Sequence, residues 1–530
     1  MSGDDDATVS HTQAAAEAAG RAHAAAGSRT IEIVAWAIIA FGALVRTRQY
    51  LGARSLRYDE ARVAYEIAER SFLQMLDPSG FIRVAPPGWF VLEKLSLMTL
   101  GTGELSLRLV PFLAGLAALP LFWIVTRRYL GNGAALACVA LGAVSEHVVF
   151  YTSELKQYSS DVLWCLLLLL VVHPLFTASA TKRQWLTAGI VGALAIWFAH
   201  PALFVMAALG LVLFVHVLRT RPADLRRTVA LGAAWVGSLV LNYILILRLQ
   251  SGRGELINYW STGFPPLRNI PRAQLAWLNA RLYEYLEIPA GLQSFGLVTF
   301  GSAVGFLALL RRNRALAATI ALTFALTLLA AVFRQYPFED RLLLFSVPLL
   351  LIVLAAGIDQ LNRIDAIRWL RPGMLLLVLL IIHPLVRAVR MVRQPEGREE
   401  IKVVVNHAAE RMEPTDGMYL NRTSYGAYIW YSTWTDALKN PPERTFLGAD
   451  IGLGADTTRA EIEYLRRYRR VWMVFVDYYP VDMRRVLEHI EPIAERRDAI
   501  TAPGAAAYLY EFVERPDTVT GLQQQVPGRP

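Results

Sequence analysis

The sequence predicts an α-helical integral membrane protein with a small soluble α/β domain near its C-terminus. Of its 530 residues, 55% are hydrophobic and only 18% are charged. Apolar stretches close to the ~18–20 residues that cross a bilayer recur from Ile31 to about Arg390. From Glu399 onward the composition is that of a soluble protein. The hydrophobic residues are therefore organised into membrane spans rather than into one globular core.

Eleven segments have the length and apolar content of transmembrane helices. They are residues 31–50, 107–127, 133–150, 161–178, 185–199, 202–218, 228–247, 293–310, 315–333, 342–358 and 373–391. The membrane domain is accordingly expected at 31–392, after an acidic and Ala-rich tail at 1–30 that we expect to be disordered and cytoplasmic.

The basic residues between the spans predict the orientation. They cluster in every second loop, at Arg127-Arg128, Lys182-Arg183, Arg219 to Arg227, Arg311 to Arg314 and Arg363 to Arg371. By the positive-inside rule these loops are cytoplasmic. The N-terminus is then cytoplasmic, and the segment after residue 392 is extracytoplasmic.

The segment 86–100, with sequence PPGWFVLEKLSLMTL, is apolar but does not fit this alternation. Counting it as a span would place every later basic loop on the wrong side. Its double proline and its Glu93-Lys94 pair favour an interfacial or re-entrant helix.

The soluble tail predicts a small α/β domain at 398–515. The strand-like segments are MYLNR, RRVWMVFVD and AAAYLYEFV, and the helix-like ones are AEIEYLRRY and VDMRRVLEHIEPIAER. The residues from Pro516 to 530 are polar, and we expect them to be disordered.

The sequence lacks the residues and motifs that several function classes require. The net charge of +9 is accounted for by the basic loops, so nucleic acid is not an expected partner. Cys138 and Cys165 lie inside apolar spans, which implies no disulfide framework. There is no HExxH, paired CxxC, Walker loop or GxSxG motif.

Asp59 and Glu60 open an amphipathic helix just outside the first span. A carboxylate pair there fits a general base or a cation site. Acidic residues also cap helix N-termini and compensate the helix dipole, so a structural role is an open alternative.

A second polar cluster, YTSELKQYSSD, falls in the next extracytoplasmic loop and contains Glu154, Lys156, Tyr158 and Asp161. Two acidic loops on one membrane face indicate a site. The alternative is an ordinary loop whose charged side chains are solvated.

The third cluster, FRQYPFEDRLLLF, places Arg334, Tyr336 and Arg341 at the same predicted membrane level. An arginine there can bind a phosphate with two parallel hydrogen bonds. Arginines at helix ends also serve as snorkelling anchors, which is the alternative. His200, at a predicted turn, is expected to be structural.

The order of these features resembles the family-39-type membrane glycosyltransferases, which use a polyprenyl-phosphate sugar donor. They include protein O-mannosyltransferases, lipid A aminoarabinose transferases and rhizobial lipopolysaccharide sugar transferases. The matching segments are RYDEA at 57–61, APPGWF at 85–90, SLRLVPFLAGL at 106–116, YTSELKQYSSD at 151–161 and YPFEDRLLLFSVP at 336–348.

The resemblance implies a large bundle of the membrane glycosyltransferase class C type in a bacterial inner membrane. It implies that Asp59 is the catalytic carboxylate, that Glu60 and Glu154 support it, and that Lys156 and Arg341 bind the donor phosphate. Tyr158, Arg334 and Tyr336 complete the expected substrate site. A single displacement at the anomeric carbon would invert it, and the acceptor would be a lipid, a glycan or a protein.

Metal dependence stays open at this stage. Many relatives carry a histidine or an acid–lysine pair before the double proline, where this sequence has Arg83-Val84-Ala85. A divalent cation is therefore not required by any motif.

Two other classes share the multi-helix pattern. A transporter or lipid flippase usually has internal repeats and charges buried within its spans, whereas here ionisable residues gather at one face. A non-catalytic membrane assembly protein is the other alternative.

Overall fold

The computed structural model describes residues 29–75, 85–177, 179–249, 253–267, 271–364, 369–435, 444–448, 455–476 and 480–513. Of the tails predicted to be disordered, residues 1–28 of the tail at 1–30 and all of 516–530 lie outside the described residues, as do Arg83 and Val84, whereas residues 29 and 30 belong to the first helix. The chain divides into two compact units, which we call the membrane unit and the α/β unit.

The described helices follow one another along both units. In chain order they are α1 (Arg29–Leu51), α2 (Tyr58–Glu69), α3 (Phe72–Met75), α4 (Pro87–Leu100), α5 (Glu104–Leu107), α6 (Leu109–Leu130), α7 (Asn132–Val144), α8 (Glu146–Phe150), α9 (Tyr158–Val172), α10 (Lys182–Phe198), α11 (Ala202–Thr220), α12 (Leu225–Leu245), α13 (Arg253–Tyr259), α14 (Pro271–Glu287), α15 (Phe295–Arg312), α16 (Arg314–Val332), α17 (Val347–Asn362), α18 (Pro372–Arg393), α19 (Ile401–Arg411), α20 (Tyr425–Thr433), α21 (Ala455–Leu465) and α22 (Pro480–Ile490).

The membrane unit is a bundle of apolar helices, and its described residues fall within Met1–Gly52, Arg70–Thr99 and Leu107–Pro395. Among the described helices, nine are long and apolar enough to cross a membrane: α1, α6, α9, α11, α12, α15, α16, α17 and α18, with short 3₁₀ extensions on three of them. The predicted fold class, a multi-pass helical membrane protein with a small C-terminal α/β domain, is confirmed.

Two predicted spans differ from this picture. The segment predicted as one span at 133–150 is a pair, α7 and the helical segment Glu146–Ser153, bent by 61°. The span predicted at 185–199 is α10, whose 17 residues lie at the lower limit for crossing a bilayer. The helix α4 has 14 residues, or about 21 Å at 1.5 Å per residue, which agrees with the prediction that 86–100 does not cross.

The bend after α7 has a local cause. Ser145 leaves the helical conformation with ψ at 117°, and its hydroxyl donates to the Ala290 carbonyl at 3.0 Å. The guanidinium of Arg46 in α1, which is 0% exposed, donates to the carbonyls of Gly142 and Ala143, each at 2.9 Å. These are C-terminal carbonyls that the end of a helix leaves without intrahelical partners. Arg46 therefore stabilises the early end of α7.

The α/β unit contains a five-stranded sheet in the order β2-β1-β3-β5-β4. The strands are β1 (Gly417–Leu420), β2 (Thr445–Leu447), β3 (Arg470–Val476), β4 (Ala494–Ala502) and β5 (Ala505–Phe512). The pairs β1–β2 and β1–β3 are parallel, and β3–β5 and β4–β5 are antiparallel. The three predicted strands correspond to β1, β3 and β5.

Two parts of this unit were not foreseen. The helix predicted through Arg496 is wrong at its end, because α22 stops at Ile490, just before Pro492, and β4 begins at Ala494. The charged side chains of β4 are mostly exposed, so its sequence lacks a hydrophobic strand pattern. The unit also includes Ala53–Glu69 and Leu100–Ser106, which the sequence boundaries placed in the membrane domain.

We predict that Arg46→Met lowers the stability of the purified protein by at least about 2 kcal/mol. Two buried carbonyls would lose their donor, and each such group costs about 1–3 kcal/mol. Unfolding in detergent, followed by circular dichroism, measures the loss.

The matched control is Arg48→Met, because Arg48 is exposed on the same helix. An Arg46→Met variant as stable as this control would show that Arg46 does not support the bend.

Candidate active site

The turn that follows the bend, residues 151–157, is buried in the membrane unit and carries the first part of the second predicted cluster. Glu154 is 0% exposed and Lys156 is 7% exposed. Within the same turn, Thr152 donates to the Val149 carbonyl at 2.6 Å and Ser153 to the Phe150 carbonyl at 3.0 Å. The alternative of a solvated polar loop is therefore wrong.

Neighbouring helices hold this turn from two sides. Glu146, the first residue of the short helix α8 that leads into the turn, forms an ion pair with Arg387 of α18 at 2.6 Å. On the other side, Gly115 of α6 packs so closely that an added Cβ would lie 2.1 Å from Cγ2 of Thr152. The turn thus has little freedom to move.

Tyr336 brings the third cluster to the second. Its pKa is held well above its usual value by burial, and next by the neighbouring Asp161 and Tyr158. The Tyr336 hydroxyl is therefore protonated, and it donates to the Leu342 carbonyl at 2.6 Å. Tyr158 and Asp161 are themselves only 6% and 4% exposed. Two loops predicted to share one membrane face thus meet in the folded chain.

Arg341 lies beside an aromatic ring rather than in the buried turn. Its Cζ is 5.4 Å from the centroid of the Trp260 ring, a cation–π geometry that orients the guanidinium plane. The surrounding segment is fixed by Glu339, which accepts from Arg281 at 2.8 Å and from Thr262 at 2.5 Å. Trp260, Arg281 and Glu339 were not predicted, because nothing in their spacing marks this contact.

Arg334 differs from the other predicted phosphate ligands because it is exposed. It follows α16 with φ at +54°, a left-handed conformation that helix ends usually give to glycine. Gln335 then donates to the Ala330 carbonyl at 2.9 Å, which closes the helix end. The Arg334 backbone N–H also donates to the Ala331 carbonyl at 3.0 Å, so the left-handed backbone serves the ending of α16.

The predicted carboxylate pair lies in the α/β unit. Asp59 and Glu60 form the first turn of α2, and Asp59 is partly exposed. Glu60 is 0% exposed and accepts from the Arg57 backbone N–H at 3.0 Å, which is one half of a capping box. The capping alternative is thus confirmed for Glu60.

Two residues that the sequence did not single out hold the start of α2. Glu399 accepts from Nε of Arg57 at 2.8 Å and from the backbone N–H of Tyr58 at 2.6 Å. The hydroxyl of Tyr431 accepts from the Leu56 backbone N–H at 2.6 Å. Asp59 is therefore positioned by the soluble tail, some 340 residues away in sequence. The only sequence signal was the acid pair at Glu399 and Glu400.

Within the described ranges, no group of three or more His, Cys, Asp or Glu side chains is arranged to hold a metal ion. His200 is buried enough that its pKa falls to about 4, so it is neutral at physiological pH.

The membrane-unit sequence matches a known family. The family model described as dolichyl-phosphate-mannose-protein mannosyltransferase matches residues 84–244, which include Glu154, Lys156 and Tyr158. The resemblance stated from the sequence is confirmed over this range. Over residues 84–244 the chain is therefore similar to this family of membrane mannosyltransferases.

Solved structures of ArnT share the fold of this chain. ArnT from Cupriavidus metallidurans in the apo state has 13% identity and a TM-score of 0.50, with coverage of 89% of this chain and 97% of ArnT. ArnT from the same organism bound to undecaprenyl phosphate has 13% identity and a TM-score of 0.50. The match covers 91% of this chain and 99% of ArnT. The archaeal oligosaccharyltransferase AglB from Archaeoglobus fulgidus, in complex with an inhibitory peptide and a dolichol-phosphate, has 12% identity and a TM-score of 0.46. The match covers 92% of this chain and 75% of the AglB chain. No curated protein matches the chain in sequence.

We predict that Gly115→Ala lowers glycosyl transfer by at least about tenfold, because a displacement of about 1 Å in a positioned group can cost up to 100-fold. The added methyl group must push Thr152 and the buried turn away from α6. Turnover of a polyprenyl-phosphate sugar by purified protein is the measurement.

The double variant Gly115→Ala/Thr152→Ser should recover activity, since serine lacks Cγ2 but keeps its hydroxyl. Gly237→Ala is the matched control, because no atom lies within 4 Å of the Cβ it would add. Equal activity of all three variants would mean that the turn does not contribute to transfer.

Proposed function

We propose that the protein transfers a sugar from a polyprenyl-phosphate donor to an acceptor on the extracytoplasmic face of the bacterial inner membrane. The observation that carries the proposal is the match of residues 84–244 to a dolichyl-phosphate-mannose mannosyltransferase family, with the buried Glu154–Lys156–Tyr158 turn inside that range. The structure of ArnT with undecaprenyl phosphate, whose fold this chain shares, supports the same class of lipid donor.

The basic loops support the sidedness of this proposal. Five of them, including Lys182-Arg183 and Arg311 to Arg314, alternate with the loops that carry the candidate residues. Cytoplasmic basic loops would leave Glu154, Tyr336 and the α/β unit extracytoplasmic. The N-terminus would be cytoplasmic.

The reaction that we propose is a single displacement. The hydroxyl oxygen of the acceptor attacks the anomeric carbon as the bond from that carbon to the phosphate oxygen breaks. The bonding pair leaves with the polyprenyl phosphate, and the hydroxyl proton passes to the Asp59 carboxylate. Attack from the side opposite the leaving group inverts the anomeric centre. The acceptor is a lipid, a glycan or a protein.

The phosphate leaving group gains negative charge in this step, so fixed cations stabilise its transition state. Lys156 and Arg341 are proposed to take this role, with Arg334 as an exposed cation at the end of α16. The hydroxyl of Tyr158 is proposed as a neutral donor to the substrate, and the Tyr336 hydroxyl, whose proton is donated to the Leu342 carbonyl, is proposed as an acceptor. The negative charge of Glu154 is proposed to compensate the positive charge of Lys156 in the buried turn. Glu60 is proposed to support Asp59 by capping α2.

The fate of the donor distinguishes this function from its rivals. A lipid flippase or transporter would bind a polyprenyl-phosphate sugar but release it unchanged. An assembly protein would not consume it. The test is therefore loss of the donor and release of polyprenyl phosphate by the purified protein, followed by mass spectrometry with candidate sugars.

We predict that Asp59→Asn abolishes transfer, with at least about a 100-fold loss, because general-base catalysis contributes about 10²–10⁴-fold. The protein should remain folded and inserted, since the amide keeps the shape of the side chain. Glu69→Gln removes an exposed carboxylate from the same helix and should leave activity unchanged. Full activity of Asp59→Asn would overturn its assignment as the base.

We predict that Arg341→Lys impairs transfer by about tenfold, on the order of 1.4 kcal/mol, although the charge is kept. Lysine lacks the planar fork that binds two phosphate oxygens and stacks on Trp260. Donor affinity and turnover of Arg341→Lys and Arg341→Ala, at matched expression, are the measurements.

Arg334→Lys is the comparison, because that exposed side chain makes no stacking contact among the described residues. If Arg341 were only a snorkelling anchor, lysine would serve equally well at both positions. Wild-type activity of Arg341→Lys would then leave Lys156 as the better phosphate ligand.

A further inference from the structure

A cavity of about 460 Å³ lies at the basic ends of the membrane helices. It is lined at the ends of α6, α9 and α11 by Tyr129, His173 and His216, and at the turn between α15 and α16 by Arg311, Arg312 and Arg314. No acidic side chain is among its lining residues. Its volume is within the range of about 300–1,000 Å³ that is typical of small-molecule sites.

The cavity is separate from the residues proposed for sugar transfer. Tyr158 begins α9, and His173 directly follows the end of the same 15-residue helix. At 1.5 Å per residue the two ends are about 22 Å apart. The cavity therefore lies at the opposite membrane level from the buried turn, at the end where the positive-inside rule places the cytoplasm.

Two of its arginines are available to an anion. Arg312 is paired with Asp359 at 2.8 Å, and Asp359 is shared with Arg363 at 2.9 Å. Arg311 and Arg314 are exposed, and neither has a carboxylate partner among the described residues. Their guanidinium groups therefore keep their capacity for bidentate hydrogen bonds to phosphate.

The opposite wall is ordered by its own contacts. The His173 ring meets the Tyr129 ring edge-on at 4.5 Å, and the Tyr129 hydroxyl donates to the Leu169 carbonyl at 3.0 Å. A ring nitrogen of His216 lies 3.1 Å from the Phe176 carbonyl oxygen. Asn313 caps α16 by accepting from the Leu316 backbone N–H at 3.0 Å, so the turn that carries the arginines is also fixed. The cavity is thus preformed, with an aromatic wall facing a cationic one.

We propose that this cavity binds the phosphate headgroup of an anionic phospholipid. Basic pockets between transmembrane helices at the cytoplasmic surface are suited to such headgroups, and anionic lipids are present in that leaflet. The Arg311 and Arg314 guanidinium groups bind the phosphate oxygens, while the aromatic wall contacts the glycerol part. A headgroup held there would join α6, α9, α11 and the α15–α16 turn.

The test uses the purified full-length chain in detergent, titrated with phosphatidylglycerol or with phosphatidylcholine of the same acyl chains. Native mass spectrometry counts the bound lipids. We expect wild-type protein to bind phosphatidylglycerol in preference, and Arg311→Gln/Arg314→Gln to lose about tenfold in that affinity. The matched control is Arg183→Gln/Arg226→Gln, which removes two exposed arginines from other basic loops and should stay within about twofold of wild type.

Three results would overturn the proposal. Equal losses in the two double variants would show that the overall charge of this face, and not the cavity, attracts the lipid. Equal binding of phosphatidylglycerol and phosphatidylcholine by wild type would exclude an anionic site. In a further arm, displacement of the lipid by glycerol 3-phosphate at comparable concentration would assign the cavity to a soluble phosphate compound instead. Thermal unfolding of each variant confirms that it is folded.

Discussion

The contact of Arg46 with the end of α7 sets the position of the turn on which the membrane unit's candidate residues lie. Its guanidinium is buried in an apolar bundle, where an unpaired charge is costly, and it bonds the carbonyls of Gly42, Gly142 and Ala143. Those last two carbonyls would otherwise be left without partners by the break at Ser145. One buried cation thus permits a helix to end inside the bundle. The turn that follows then carries Glu154 and Lys156 between helices rather than in solvent.

In the α/β unit, too, residues distant in sequence fix the backbone beside a candidate residue. The helix α2 follows the first span directly in sequence, yet its start is bound by Glu399 and Tyr431 of the C-terminal tail. Glu399 is buried and accepts two hydrogen bonds from the Arg57–Tyr58 segment, which fixes the backbone immediately before Asp59. The soluble domain is therefore more than an appended module. It is the structural support of the carboxylate proposed as the base.

Charge is distributed over the membrane unit in two separate patterns. At one level Tyr158, Asp161 and Tyr336 form a compact polar group whose members are mostly withdrawn from solvent. At the other level the arginines of the α15–α16 turn surround an open cavity. We propose that the first pattern serves sugar transfer in a low-dielectric site and that the second binds an anionic headgroup, at opposite ends of the same helices.

The sequence by itself determined the class of fold, most of the spans, three of the five strands and the order of the candidate clusters. These follow from hydrophobic length, strand periodicity and the distribution of basic loops, all of which are local properties. It also indicated the family through five short motifs in order. The bend at Ser145, the edge strands β2 and β4, and the contacts of Arg341 with Trp260 and of Glu399 with Arg57 were decided by tertiary structure. Each depends on a partner distant in the chain or on a strand with no hydrophobic pattern of its own. Spacing along the sequence does not encode which buried polar groups will satisfy one another, because that pairing exists only once the helices and the sheet have packed.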